Sequence, residues 1–363
     1  MRARRWTRGT GLRRAPAGPT PHPSLTPPTS RALLALLALL GLLALLFASG
    51  CSPPASPSSA APDSELTLEH ARRIFTTFVT ADDVARAARD EPLQLSLVNQ
   101  AQLPLTVSAY ERADYSGAPA TRYSYGVPQL YVPQLRSFPL WFVAVARRGP
   151  SDGGPTRTAI MVFSRPEPPD TWQLTVSTLL QPGMSLPRIA LDRAGHATAL
   201  ATFDHRLLIS PNSVGAVHAA VANDGPAAPA AAMVAPGPFT TGLREQIVTG
   251  KRQVTQPGLR YDSALGGTAF PLYALATADG GGLVLYSLNR GTVILRRTSD
   301  HRPIPVPPSF APILYATGHL LVRSELDTGA TFQYAAYVPA RQVKGGKMEV
   351  IGSQGGPTSA GGQ

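Results

Sequence analysis

The sequence predicts an α+β protein of two tandem repeats, each a helix packed on a curved antiparallel sheet, behind an N-terminal signal or anchor helix. Three observations carry that prediction. An uncharged apolar run, "ALLALLALLGLLALLFA", leads to the chain's only cysteine, Cys51. A helical apolar period over 71–79 precedes a series of strand-like segments. The stretch "FPLWFVAVA" at 138–146 is echoed by "FPLYALATA" at 270–278. The expected organisation is a signal peptide over 1–50, a Pro/Ser-rich linker over 51–64, α+β domains over 65–207 and 208–352, and a flexible tail over 353–363. A chain of 363 residues accommodates two domains of about 150 residues each.

The apolar run from Ala32 to Ala48 is short of the roughly 20 residues that span a bilayer. It follows Arg31 and a basic segment, the usual flank of a signal peptide or an inward-facing N-terminus. Ala48, Ser49 and Gly50 are small enough to lie extended in a peptidase cleft. Cys51 then offers the sulfur that takes up diacylglycerol. The stretch resembles a bacterial lipobox, Leu-small-small-Cys, with Ala48 standing where leucine is usual. The alternatives are an uncleaved single-pass anchor with an extracytoplasmic domain and a plain secretory signal. Two or more acyl chains anchor stably where one binds marginally. The linker "SPPASPSSAAPDS" reads as a semi-extended spacer between membrane and body.

The net charge of +11 is concentrated in this leader. Arg2, Arg4, Arg5, Arg8, Arg13, Arg14 and Arg31 all precede Cys51; without them 26 basic residues face 22 acidic ones. No basic stripe with interleaved aromatics follows, so nucleic acid is not an expected partner. One cysteine forms no intrachain disulfide and no multi-thiolate metal site, so the body must be stable through packing alone.

In the first half, Ala71, Ile74, Phe75, Phe78 and Val79 define one apolar helix face, with Thr67 as N-cap. The echoed segments each open a hairpin, the first running into "AIMVFSR" (159–165) and the second into "LVLYSLNR" (283–290). Their turns are "RRGPSDGGPTRT" and the tight "DGGG". Further strands are expected at 171–180 and 188–200. The second half opens with a helix carrying Val214, Val217 and Val221, capped by Ser213. A shorter helix holds Phe239, Leu243 and Ile247. Strands follow at 312–326, 330–340 and 347–353, with Asp327 at a hairpin tip. Helix then meander, twice over, is the plan of cystatin-like and nuclear-transport-factor-2-like folds; two packed β-sandwiches are the competing architecture. The lipobox, the two-part body and the ending "YVPA…GGKMEVIGS" (Tyr337 to Ser353) also resemble an uncharacterised family of actinobacterial envelope lipoproteins. That resemblance implies a location and no activity.

The sequence carries no catalytic motif. His70, His196, His205, His218, His301 and His319 form no HExxH and no close metal-binding pair, and no cofactor is implied. His70 and His218 read as surface or half-buried helix residues. There is no GxSxG. Tyr125, Trp141, Tyr261 and Tyr273 are candidate pocket aromatics, with Trp141 and Tyr273 expected to line equivalent pockets; the competing reading is core packing. The expected function is therefore a non-enzymatic lipoprotein, anchored through Cys51 on the outer face of the cytoplasmic membrane. It would bind an envelope protein, glycan or small ligand there. The alternative is a small-molecule enzyme or carrier using one curved-sheet pocket.

Overall fold

A computed structural model describes residues 66–254, 258–299, 302–318 and 321–363. Helix α1 (Leu68–Ala88) starts where the Thr67 hydroxyl accepts from the His70 N–H at 3.1 Å, satisfying a donor that the first turn leaves unpaired. Arg89 adopts a left-handed conformation (φ 56°) and ends the helix. One residue later Asp90 caps α2 (Glu91–Ser96) by accepting from Leu93 N–H at 2.9 Å. This tight turn folds α2 back beside α1. Helix α3 (Gln102–Ser116) follows and ends at Gly117, φ 70°.

Five strands come next: β1 (Tyr123–Tyr125), β2 (Gln129–Tyr131), β3 (Leu140–Pro150), β4 (Arg157–Arg165) and β5 (Gln173–Leu179). They form an antiparallel sheet in the order β1-β3-β4-β5, with β2 also paired to β3. The second half supplies α4 (Pro211–Asp224), α5 (Thr241–Gln253), β6 (Leu259–Gly267), β7 (Tyr273–Ala276), β8 (Gly282–Arg296), the short α6 (Ala311–Ala316), β9 (Glu325–Val338) and β10 (Glu349–Gly362). Its sheet has the order β6-β8-β9-β10, with β7 also paired to β8.

The strands explain their own burial. Alternate residues of β3 enter two different apolar layers, because successive side chains point to opposite faces. Phe142, Ala144 and Ala146 pack with Phe75 and Phe78 of α1. Trp141, Val143 and Val145 pack instead against Leu275, Leu283 and Leu285 of the second sheet. On that sheet's far side, Val284, Tyr286 and Leu288 pack with Val214 and Leu243 of α4 and α5. The order of layers is helices, sheet, sheet, helices. Central strands are covered on both faces and so read as continuous apolar runs. The layers are stitched by Gln333 on β9, whose Oε1 accepts from Ser177 N–H of β5 at 2.7 Å.

Several expectations are corrected. The segment 353–363 is not a flexible tail: residues 353–362 belong to β10, paired along β9 from Glu349–Tyr337 to Gly362–Leu326. Its Gly/Ser/Thr composition carries no apolar period, yet backbone pairing needs none, and close approach favours glycine. A Cβ on Gly355 would collide with the backbone of Thr331 and Phe332. The segment 188–200 makes isolated bridges only, through Ile189, Leu191, Ala197 and Ala199. The expected strand at 312–326 is mainly the helical turn α6 and its exit. Asp327 lies within β9, opposite Val293, rather than at a hairpin tip. The cap of α4 is at Ser210, three residues before the expected Ser213.

The echoed segments open hairpins β3–β4 and β7–β8, and Gly280 (φ 84°) supplies the tight second turn. They do not hold matching places in the two sheets. By pairing order the counterpart of β3 is β8, not β7. No helix among the described residues is long and apolar enough to cross a membrane.

Candidate functional site

The residues of the lipobox-like stretch, Ala48, Ser49, Gly50 and Cys51, lie outside the described residues. Within the body, a polar cavity of about 450 Å³ opens between α1–α3, the start of the first sheet and β10. It falls in the size range of small-molecule pockets, about 300–1,000 Å³.

The face of α1 that begins with Ala71, Phe75 and Phe78 continues to Asp82 and Ala85. At the position where this face should stay apolar it carries a carboxylate. Asp82 is 1% exposed. Its Oδ1 accepts from Arg86 Nε at 2.9 Å, one helical turn on, and from Gln94 Nε2 of α2 at 2.8 Å. The α1–α2 turn is what brings Gln94 across to it. Arg86 also donates through Nη1 to the Thr121 carbonyl at 3.2 Å. Burial penalises the Arg86 cation, but the Asp82 carboxylate more than offsets this and holds the guanidinium above its ordinary value.

Helix α3 contributes a polar face as well. Gln102 and Thr106, at i and i+4, are both buried, and Gln102 Nε2 donates to Thr106 Oγ1 at 3.3 Å. From the sheet come Tyr123 and Tyr125 on β1 and Arg148 on β3, the register partner of Tyr125. The guanidinium groups of Arg86 and Arg148 lie over the Tyr123 ring at 5.1 and 4.8 Å, a cation–π arrangement. Arg148 donates to Ser177 Oγ at 3.0 Å and to Gln354 Oε1 at 2.6 Å. The C-terminal strand is thus a wall of the cavity. Desolvation, and secondarily the Asp82 charge, push the Tyr125 hydroxyl well up, so it stays protonated.

The predicted aromatics do not converge. Tyr125 lines this cavity, packed edge-on against Phe75 at 6.0 Å. Trp141 and Tyr273 do not line equivalent pockets: they meet each other at 5.3 Å in the layer between the sheets. The parity of Trp141 along β3 puts it on the sheet–sheet side, away from the helices. Tyr261 borders a separate cleft of about 520 Å³ with Phe310, Phe332 and Pro357, its hydroxyl 3.2 Å from Arg290 Nη2. Asp82, Arg86, Gln94, Gln102, Arg148 and Gln354 were not among the expected residues. The available signal was the polar pair Asp82/Arg86, spaced i, i+4 on the predicted buried face of α1.

His70 is half-buried and edge-on to Trp172 at 6.4 Å. His218 is not a surface residue; it is fully buried. Its Nδ1 is 2.8 Å from the Tyr286 hydroxyl and its Nε2 contacts the Phe239 carbonyl. A carbonyl accepts only, so Nε2 carries the proton and Nδ1 accepts from Tyr286. Burial lowers the imidazole to about 4. Among the described residues no group of His, Cys, Asp and Glu could hold a metal ion.

A protein family described as a domain of unknown function, DUF8094, matches residues 63–362. An uncharacterised lipoprotein of Streptomyces avermitilis is 29% identical over 235 residues, covering 62% of this chain and 65% of the relative. Two uncharacterised lipoproteins of Streptomyces coelicolor are 28% and 25% identical, covering 64% of this chain and 67% and 65% of their own. The chain spans just under two thirds of the length of the first and third of these relatives and about two thirds of the second. No solved structure matches it.

Proposed function

This chain belongs to the DUF8094 family, and on that premise we propose that it is a lipid-anchored, non-enzymatic envelope protein. Cys51 holds it on the outer face of the cytoplasmic membrane, and its body binds a small ligand or partner there. The observation that carries the anchor is the agreement of the cysteine after "FASG" with relatives that bear the name lipoprotein. Binding rather than catalysis is supported by how the cavity's charges are already engaged. Asp82 is held by Arg86 and Gln94, and Arg148 by Ser177 and Gln354. Tyr125 keeps its proton. A general acid or base needs a proton it can exchange near the working pH, whereas groups held this way favour fixed recognition.

The same reading makes the halves tandem copies of one helix-and-sheet unit. The support is the shared order of pairing, in which the first two strands of each half both pair with the third and a meander follows. Metabolic labelling of the wild type and Cys51→Ala with radioactive palmitate tests the anchor. The wild type should carry the label and the variant should not; an unlabelled wild type, or equal labelling of the two, would refute it.

A further inference from the structure

The face of the second sheet that α4 and α5 cover continues past them. Along β8, Val284, Tyr286 and Leu288 pack with those helices. Beyond Leu288 the same parity presents Arg290, Thr292 and Ile294, and β9 adds Leu326, Thr328, Ala330 and Phe332. These residues line the cleft of about 520 Å³ beside Tyr261. Its roof is the segment "IPVPPSF" (304–310). Pro305, Pro307 and Pro308 fix their own φ and carry no N–H to leave unpaired. Ile304 pins the roof, its N–H donating to the Val322 carbonyl at 2.7 Å. Val306 and Phe310 of the roof, Val254 just past α5 and Phe332 of the floor are half-buried. The cleft is thus a preformed apolar slot, continuous with the core around Ile294 and Leu326.

Among the described residues, Arg290 is the only charged group lining this slot. Its Nε donates to Ser263 Oγ at 3.0 Å and its Nη2 to the Tyr261 hydroxyl at 3.2 Å. Ser263 is held in turn by Thr292, Oγ to Oγ1 at 2.8 Å. Gly250 of α5 leaves room for the Tyr261 hydroxyl, which a Cβ there would meet at 2.7 Å. These neutral partners hold the guanidinium in place without neutralising it. Among the described residues no carboxylate pairs with Arg290; Glu245 shares only an open surface depression with it. Arg290 is half-buried, and its Nη1 has no protein partner and is not buried. An uncompensated cation beside an apolar slot suits an anion that carries an apolar chain. A carboxylate takes parallel N–H bonds from a guanidinium, and the Tyr261 hydroxyl, accepting from Arg290, keeps a hydrogen to donate. One guanidinium balances one negative charge, which favours a carboxylate over a phosphate dianion. We propose that this slot is a second binding site, distinct from the cavity at α1–α3, and takes a long-chain carboxylate. The chain lies between Phe310 and Phe332, and the head sits on Arg290.

Photocrosslinking tests this. The full chain, in a dialysed and detergent-free lysate, is irradiated with a diazirine-bearing palmitate, then purified, and the labelled residues are mapped by mass spectrometry. The lysate holds the protein whether or not it is anchored, so the result stands apart from the test of Cys51. Labels should fall on Val306, Phe310 or Phe332, and excess dodecanoate should remove them. Dodecanol, with the same chain and no charge, should need about tenfold more, and dodecylamine should compete no better than dodecanol. Arg290→Gln should erase the advantage of dodecanoate over dodecanol, and Arg290→Lys should keep it. Val306→Trp, which fills the slot from its roof and leaves Arg290 intact, should lose the label. Labels confined to other residues would overturn the proposal. So would equal competition by carboxylate, alcohol and amine, or an Arg290→Gln protein that still prefers dodecanoate.

Discussion

Arg148 on β3 donates to Gln354 on β10 at 2.6 Å, across 206 positions of sequence. It thereby ties the middle of the first sheet to the last strand of the chain. Arg148 is 7% exposed, so the Gln354 oxygen meets a need that solvent does not meet. Gln354→Ala should lower stability by about 1–3 kcal/mol, the cost of stranding a buried donor, read by urea denaturation. Deleting 353–363 should cost more and promote association, because it bares the edge of β9.

Asp82 and Arg86 form a pair whose side chains are 2% and 11% exposed. Removing one partner leaves the other charge buried. Asp82→Ala should destabilise by about 3–5 kcal/mol, whereas Asp82→Asn, which keeps an oxygen for Gln94 and Arg86, should cost less. Equal losses in the two variants, by chemical denaturation, would show that volume rather than charge matters at this position.

His218 makes the protein acid-sensitive. Its imidazole falls to about 4 in the folded state through burial, against about 6.5 unfolded. The unfolded chain therefore binds the extra proton first. This contribution to stability is full above pH 6.5, falls as pH drops from 6.5 to 4, and changes no further below that. The total is about 3 kcal/mol. His218→Gln, which can still donate to Phe239, should flatten that part of the stability-versus-pH curve.

Trp141 and Tyr273 meet edge-to-face between the sheets, at 5.3 Å and 62°. A double-mutant cycle with Trp141→Leu and Tyr273→Leu should return a coupling of about 0.5–1.5 kcal/mol. A coupling of zero would mean that the two rings fill space independently.

Much of the fold could be read from period and punctuation. The face from Ala71 to Val79, the Thr67 cap and both hairpins are local features that packing reinforced. Helix α3 escaped because its buried residues are Gln102, Thr106, Ser108 and Tyr110, and a polar buried face has no hydrophobic period. The same substitution of polar for apolar groups builds the cavity, so the site and the missed helix share one cause. The part of β10 beyond Ser353 escaped for a different reason: a strand held by backbone pairing and close glycine contacts leaves little trace in side-chain pattern. Pairing order was also beyond the sequence. The resemblance of 138–146 to 270–278 is real as text, yet the strands it joins sit in different places.

The most direct test of a lipid-anchored protein is mass spectrometry of its mature N-terminus. The prediction is a chain that begins at Cys51 and carries diacylglycerol on its sulfur. An unmodified Cys51 within a chain that still holds the upstream apolar run would contradict it.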